Sequence, residues 1–323
     1  MSHVRSIDFG SAPFQIIDGD RGKNYPKQDE FSDDGFCVFL SATNVTRNGF
    51  DFSHCQFITE QKDNELRKGK LQRDDVALTT RGTIGNSAFY SAAVPFEHMR
   101  INSGMVVLRC NQEEIMPSYL YHFLRSPQFH GQVNALRSGV AQPQLPIRDM
   151  RNIKFTLPDL HTQGSISSIL SAYDDLIENN RRRIHLLEQA ARLLYKEWFV
   201  HLRFPGHEHV KIKDGVPEGW EKMTLGDIAA ANSESYQTRD LPDEVNYVDI
   251  SSVTQGRVVT KNMISAVEAP GRARRKAQSG DVIWSNVRPN LRAYALILDP
   301  EENDVFSTGF TVLSPITVPF TYL

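Results

Sequence analysis

Leu71-Gln72-Arg73-Asp74-Asp75-Val76-Ala77-Leu78-Thr79-Thr80-Arg81 and Ala277-Gln278-Ser279-Gly280-Asp281-Val282-Ile283-Trp284-Ser285-Asn286-Val287-Arg288 are two versions of one stretch, the second with an extra residue before its final Arg. Ile101-Asn102-Ser103-Gly104-Met105-Val106-Val107-Leu108 pairs in the same way with Phe306-Ser307-Thr308-Gly309-Phe310-Thr311-Val312-Leu313. A third pair joins residues 40–49 to residues 250–256. The offset is 206, then 205, and drifts from 210 to 207 in the third pair, so only a loop changes length. A near-constant offset over three segments marks a duplicated folding unit. The first copy reads as mixed α/β. Its strand-like pieces, such as residues 36–40, 76–80 and 104–108, are separated by the turn signals Asn48-Gly49, Gly82, Gly85 and Asn102. A helix is predicted from Pro117 to about Arg125, with Pro in its first turn.

Between the copies the pattern changes. From Ser165 to Phe199 there is neither Pro nor Gly. Ile166, Leu170, Tyr173, Ile177, Asn180, Ile184, Leu187, Ala191, Leu194 and Trp198 follow alternating spacings of four and three, a heptad seam with one polar member, Asn180. At 1.5 Å per residue these 35 residues make a rod of about 52 Å. Such a seam cannot bury itself against one small domain, so it predicts a partner helix from this chain or another, with Asn180 fixing the register. A long core helix of a bundle fits the regularity less well. A polar linker bearing Gly and Pro follows. The expected division is 1–157 for the first domain, 158–202 for the long helix, 203–217 for the linker and 218–323 for the second domain. The fold class is α+β: two α/β domains of partly repeated sequence joined by a long coiled-coil helix.

The 323 residues suffice for two cores, and 40% apolar with 23% charged residues is ordinary globular material. The longest apolar run is six residues, 293–298, against about 20 needed to span a bilayer. The start, from Met1 to Asp8, has no apolar core and does not read as a signal peptide. Cys37, Cys55 and Cys110 are odd in number and lack CxxC spacing, so they read as free thiols of a cytoplasmic protein. The chain has no phosphate-binding GxxxxGK[ST] loop and no Asn-Pro-Pro-Tyr or Asp-Pro-Pro-Tyr methyltransferase motif. Pro242-Asp243-Glu244 opens like a nuclease motif but lacks the E-x-K that completes it. His207 and His209 flank Glu208 in the linker and read as solvated rather than as metal ligands.

The net charge of −3 excludes a polybasic strategy but not local patches. Residues 257–292 hold eight basic side chains against two acidic, and residues 65–81 hold five against three. Both patches lie in the repeated regions. Two copies of one domain on a rod suggest a protein that touches an extended target twice, and Lys and Arg on loops can neutralise phosphates and read base edges.

The central stretch Leu157-Pro158-Asp159-Leu160, Ile169-Leu170-Ser171-Ala172-Tyr173-Asp174-Asp175-Leu176-Ile177-Glu178-Asn179-Asn180-Arg181 and Leu193-Leu194-Tyr195-Lys196-Glu197-Trp198-Phe199 resembles the central region of the type I restriction-modification specificity subunits, the HsdS family. Val216-Pro217-Glu218-Gly219-Trp220 with Leu225-Gly226-Asp227 resembles the opening of that family's second target-recognition domain. The resemblance implies two target-recognition domains, each reading half of a split double-stranded DNA site. It implies two long helices that pair as a ruler and dock methylation and restriction subunits. S-adenosylmethionine, ATP and Mg belong to those partners, and this chain is expected to be non-catalytic and to bind no cofactor. No counterpart of the second long helix follows the second copy, so the expectation is a natural truncation, a fragment, or a chain whose seam pairs with a second copy.

Candidate DNA contacts in the first domain are Thr80, Arg81, Thr83 and Asn86 on a loop with two glycines, Asn44 and Arg47 on a second loop, and Lys68 and Lys70 toward phosphate; residues 20–25 are a weaker candidate. In the second domain they are Arg272, Arg274, Arg275, Asn286, Arg288, Asn290 and Arg292, whereas Trp284, inside a β-run, reads as core. The alternative is a coiled-coil assembly module with incidental basic patches. Steep weakening of binding by salt separates the two, since counterion release accompanies DNA contact.

Overall fold

Apolar runs in the first copy become strands buried on both faces, which is why they do not alternate with polar residues. The computed structural model describes residues 5–139 and 143–323; the start from Met1 to Val4 lies outside them. By packing, the chain falls into two units, Met1–Ala191 and Arg192–Leu323. In the first, an antiparallel sheet runs in the order Phe14–Asp18, Met105–Cys110, Val76–Thr79, Ser87–Phe89. Val76, Leu78, Val106 and Leu108 point to one core, under the helices Pro117–Leu124 and Pro127–Leu136. Ala77, Met105 and Val107 point to the other, against a three-stranded sheet in which Cys37–Leu40 lies parallel to Met99–Ile101. Arg5–Asp8 pairs with Lys154–Leu157, closing the unit.

The second unit repeats this topology. Ala229–Ala231, Phe310–Pro315, Val282–Ser285 and Tyr294–Leu296 follow the same order, with Val253–Val258 added at the edge. Glu244–Val248 lies parallel to Asp304–Ser307, as Cys37–Leu40 does to Met99–Ile101. The shared turn explains the shared letters. Asp75 and Asp281 are buried, and each accepts the backbone N–H three residues back, Gln72 and Gln278, at 2.7 Å. The residue before each, Asp74 (φ 72°) or Gly280 (φ 94°), is left-handed. The copies differ in what covers the sheet. The second unit's large core cluster lies on the face equivalent to the three-stranded-sheet side of the first. On the opposite face Trp284, at the position of Leu78, is 42% exposed and stacks on Tyr294 with centroids 5.7 Å apart. The expectation that Trp284 is core therefore fails: alternation assigns its face correctly, but that face is not covered.

The long helix spans Leu160–Tyr195. Asp159 caps it, accepting the Thr162 N–H at 2.8 Å, and that bond holds its carboxyl below the usual 3.8. Gln163 and Ser167 are buried against the first unit, Ser171 meets His122 at 3.1 Å, Asp174 pairs with Arg125, and Arg181 reaches Asn48 at 3.0 Å. Ser167, Ser171, Asp174 and Arg181 each directly follow a seam residue, about 100° further around the helix. The seam itself is therefore left facing outward, and every member from Ile166 to Leu194 is exposed, Leu187 at 68%. Trp198 departs from the expected line. A π-helical turn over Lys196–Val200 carries it off the straight α-helical register, and it is half-buried. None of the described helices is long and apolar enough to cross a membrane.

His122 fixes a pH dependence. Burial first, then Arg125 against the opposing pull of Asp174, holds its imidazole below the usual 6.5. The folded state thus favours the neutral ring, so stability is fully present above about pH 6.5 and is lost as pH falls below it. His130, lowered by burial and by Arg47, acts with the same sign. The urea midpoint is expected to fall between about pH 7.5 and 5.5, and His122→Gln to flatten the fall; equal midpoints at both values would contradict the assignment.

Candidate nucleic-acid interface

The Gly-bearing loop of the first unit is a rigid turn. Gly82 and Gly85 are left-handed, Gly85 N–H donates to the Thr79 carbonyl at 3.0 Å, and the Thr79 hydroxyl donates to the Thr83 carbonyl. Thr83 donates to Ala42 O at 3.1 Å and Asn86 to Val45 O at 3.0 Å, so both fasten this loop to the one holding Arg47. Thr80 is buried, its hydroxyl donating to Gly104 O at 2.9 Å. Asn44 is buried and its amide is fully used: it accepts from Ser41 N–H at 3.0 Å and donates to Asp51 O and His54 O at 2.9 and 2.8 Å. Asn44 and Thr80 are thus corrected from DNA contacts to supports, because their polar atoms are spent inward. Arg47, Arg81 and Thr83 are the exposed members, Thr83 being tied down by its bond to Ala42. Arg81 borders a cleft of about 240 Å3 with Asp18, Arg21 and Gln144. Arg47 and Asn86 border another of about 380 Å3, whose further walls, Ser87, Arg125 and His130, sequence reasoning missed.

Lys68 is exposed, and Lys70 pairs with Asp63. Asp63 is buried beside Arg100, whose Nε donates to its carboxylate at 2.8 Å. Burial alone would raise the Asp63 pKa; the hydrogen bonds from Lys70 and Arg100 outweigh it and hold the carboxyl below 3.8. The nearby Cys37 thiol is pushed up to about 12 by burial and by Asp63. The three cysteines are free.

In the second unit Arg272 is exposed, Arg274 donates to Ala273 O at 2.7 Å, and Arg275 donates to Ser235 at 3.1 Å. Asn286 donates to the Thr311 hydroxyl at 2.8 Å. Arg288, Asn290 and Arg292 share one exposed loop, with Arg288 (φ 52°) and Arg292 (φ 49°) both left-handed around a 3-10 turn, Pro289–Leu291. Two arginines in that region store backbone strain at the loop's tip. Among the described residues no group of His, Cys, Asp and Glu is arranged to hold a metal ion.

Residues 14–189 match the model of the type I restriction modification DNA specificity domain. The chain belongs to that family. It is 27% identical over 182 residues to the specificity subunit of the type I restriction enzyme MjaIX from Methanocaldococcus jannaschii, covering 55% of this chain and 41% of that one. It is 26% identical over 185 residues to the HindI specificity subunit from Haemophilus influenzae, covering 56% and 39%. The chain matches about two-fifths of the length of these curated relatives. A crystal structure of a type I restriction-modification S subunit from M. genitalium superposes with a TM-score of 0.56 at 15% identity, covering 98% of this chain and 73% of that one. This likeness shows the fold: mixed α+β, with two similar sheet domains and a long helix.

The two loops of the first unit make separable predictions. Asn44→Ala leaves the Ser41 N–H and the Asp51 and His54 carbonyls without their partner and is expected to cost about 1–3 kcal/mol, read as a lower urea midpoint. Arg47→Ala, at an exposed site, is expected to stay within about 0.5 kcal/mol of the parent.

Proposed function

We propose that the chain is the DNA-recognition subunit of a type I restriction-modification assembly and carries no chemistry of its own. The observation that supports this is the duplicated sheet domain of a specificity-family chain, each copy offering arginines on loops fastened to rigid turns. Arg47 and Arg81 of the first copy, and Arg288, Asn290 and Arg292 of the second, are the side chains assigned to double-stranded DNA. Lys68, Lys70 and Arg272 are assigned to phosphate. Thr83 and Asn86 brace the loops of the first copy, and Arg274 and Arg275, on the strand Ala273–Arg275, are assigned to the edge of the interface. Each copy reads one half of a split site.

The uncovered seam is assigned to helix pairing, with a second copy of this chain as partner, and to docking of methylation and restriction subunits. An apolar stripe of this length left in water favours association. S-adenosylmethionine, ATP and Mg are assigned to those partners, and the site of action to the cytoplasm, where chromosomal DNA lies.

Co-expression with the methylation subunit, followed by methylome sequencing, tests the reading. A split motif of modified adenines is expected. A palindromic motif assigns reading to the first domain in a homodimer, and an asymmetric one to both domains. No association and no new methylation would overturn the proposal. Direct DNA binding is expected to weaken with salt, with a slope of log K on log salt of about −0.9 per phosphate contacted. Sedimentation tests the pairing: the parent is expected as a dimer, and Ile184→Glu with Leu187→Glu as a monomer.

A further inference from the structure

The cleft between the two loops of the first unit is one-sided in its chemistry. It is lined by Arg47, Gly85, Asn86, Ser87, Arg125 and His130, without a carboxylate. The Arg125 charge is met by Asp174, which stands outside this lining. Arg47 and His130 remain. Arg47 is exposed, and its charge acts on the imidazole of His130, adding to the effect of burial in disfavouring the protonated ring. Two groups that repel when both are charged are held on one cleft, an arrangement that an anion between them would relieve.

The cleft floor also carries an unmet donor. Ser87 is 2% exposed, and its Oγ has no hydrogen-bond partner. A buried hydroxyl left unpaired costs stability, and its persistence asks for a ligand. Gly85 brings the loop close to the opposite wall. At Gly85 (φ 87°) an added Cβ would stand 3.3 Å from His130 Nδ1, so glycine permits the close approach of the loop to the helix Pro127–Leu136. The loop is held by Thr79 and by Asn86, and the walls come from three separate segments fixed against one another.

An arginine fork, an imidazole N–H and a spare hydroxyl match an anion that offers several oxygens. We propose that this cleft seats a phosphodiester of the DNA backbone, with Arg47 and His130 facing its charge and the Ser87 hydroxyl donating to one of its oxygens. The assignment rests on the DNA-recognition reading and adds the point at which the first domain grips the backbone. Such a contact fixes the register of the domain on the duplex and carries no base preference.

Two measurements on the full chain test it. In the first, inorganic phosphate is titrated in at neutral pH while the His130 ring resonance, assigned through His130→Gln, is followed by NMR. A saturable shift that Arg47→Ala abolishes is expected. In the second, DNA affinity is measured between about 50 and 200 mM salt. Arg47→Ala is expected to lower the slope of log K on log salt by about 0.9, and to weaken binding by the same factor on every sequence. Ser87→Ala is expected to weaken DNA binding several-fold while leaving the urea midpoint unchanged or higher, which a merely structural hydroxyl would not do. An unmoved His130 together with a parental salt slope in Arg47→Ala overturns the proposal. If the chain binds no DNA, the recognition reading itself fails; a phosphate-dependent His130 shift would then assign the cleft to free phosphate and overturn its assignment to DNA.

Discussion

Gln163 decides how the long helix is turned. Its amide is fully buried, donating to Pro158 O at 2.8 Å and Glu114 O at 3.1 Å, and accepting Met116 N–H at 2.8 Å. Three directional bonds fix both where the helix begins and its rotation about its own axis, which an apolar residue at the same place would leave undetermined. With the rotation fixed, the polar stripe of Ser167, Ser171, Asp174 and Arg181 falls on the domain. The seam, though more apolar, is turned away. A helix governed by area burial alone would roll by about 100° and bury Ile166, Leu170 and Tyr173 on its own domain. The buried amide, made costly to unpair by its surroundings, prevents that.

The duplicated fold is legible in the letters because its turns are chemically demanding. Gln72 to Asp75 and Gln278 to Asp281 build the same capped turn. Asn102 and Ser307 each accept the N–H of a glycine two residues on, Gly104 at 2.8 Å and Gly309 at 3.2 Å. Few residue types perform these tasks, so the sequence holds its form at those points while the loops between them drift. The strands add a second signal, since burial on both faces writes continuous apolar runs that stand out from the polar loops.

The candidate interface was less legible, for definite reasons. An Asn in a polar loop looks the same whether its amide faces solvent or, like Asn44, its own backbone. Alternation places Trp284 on a face but is silent on whether anything covers that face. A π-helical turn leaves the heptad letters intact, so Trp198 reads as a seam residue although the backbone has widened beneath it. Ser87, Arg125 and His130 come together from separate segments, with no spacing in sequence to announce it. Each is a property of tertiary placement rather than of local pattern.

The docking of the helix bears on how its far half is maintained. Starting a helix is the costly step, because several residues must be fixed for the first hydrogen bond; adding residues to an existing helix is nearly neutral. The contacts from Gln163 to Arg181 tie the first half to a folded domain, whereas residues 182–191 are exposed on every side. The domain therefore acts as a permanent nucleus, and the exposed half needs only propagation. A partner arriving on the seam has no helix to start and meets a face already wound.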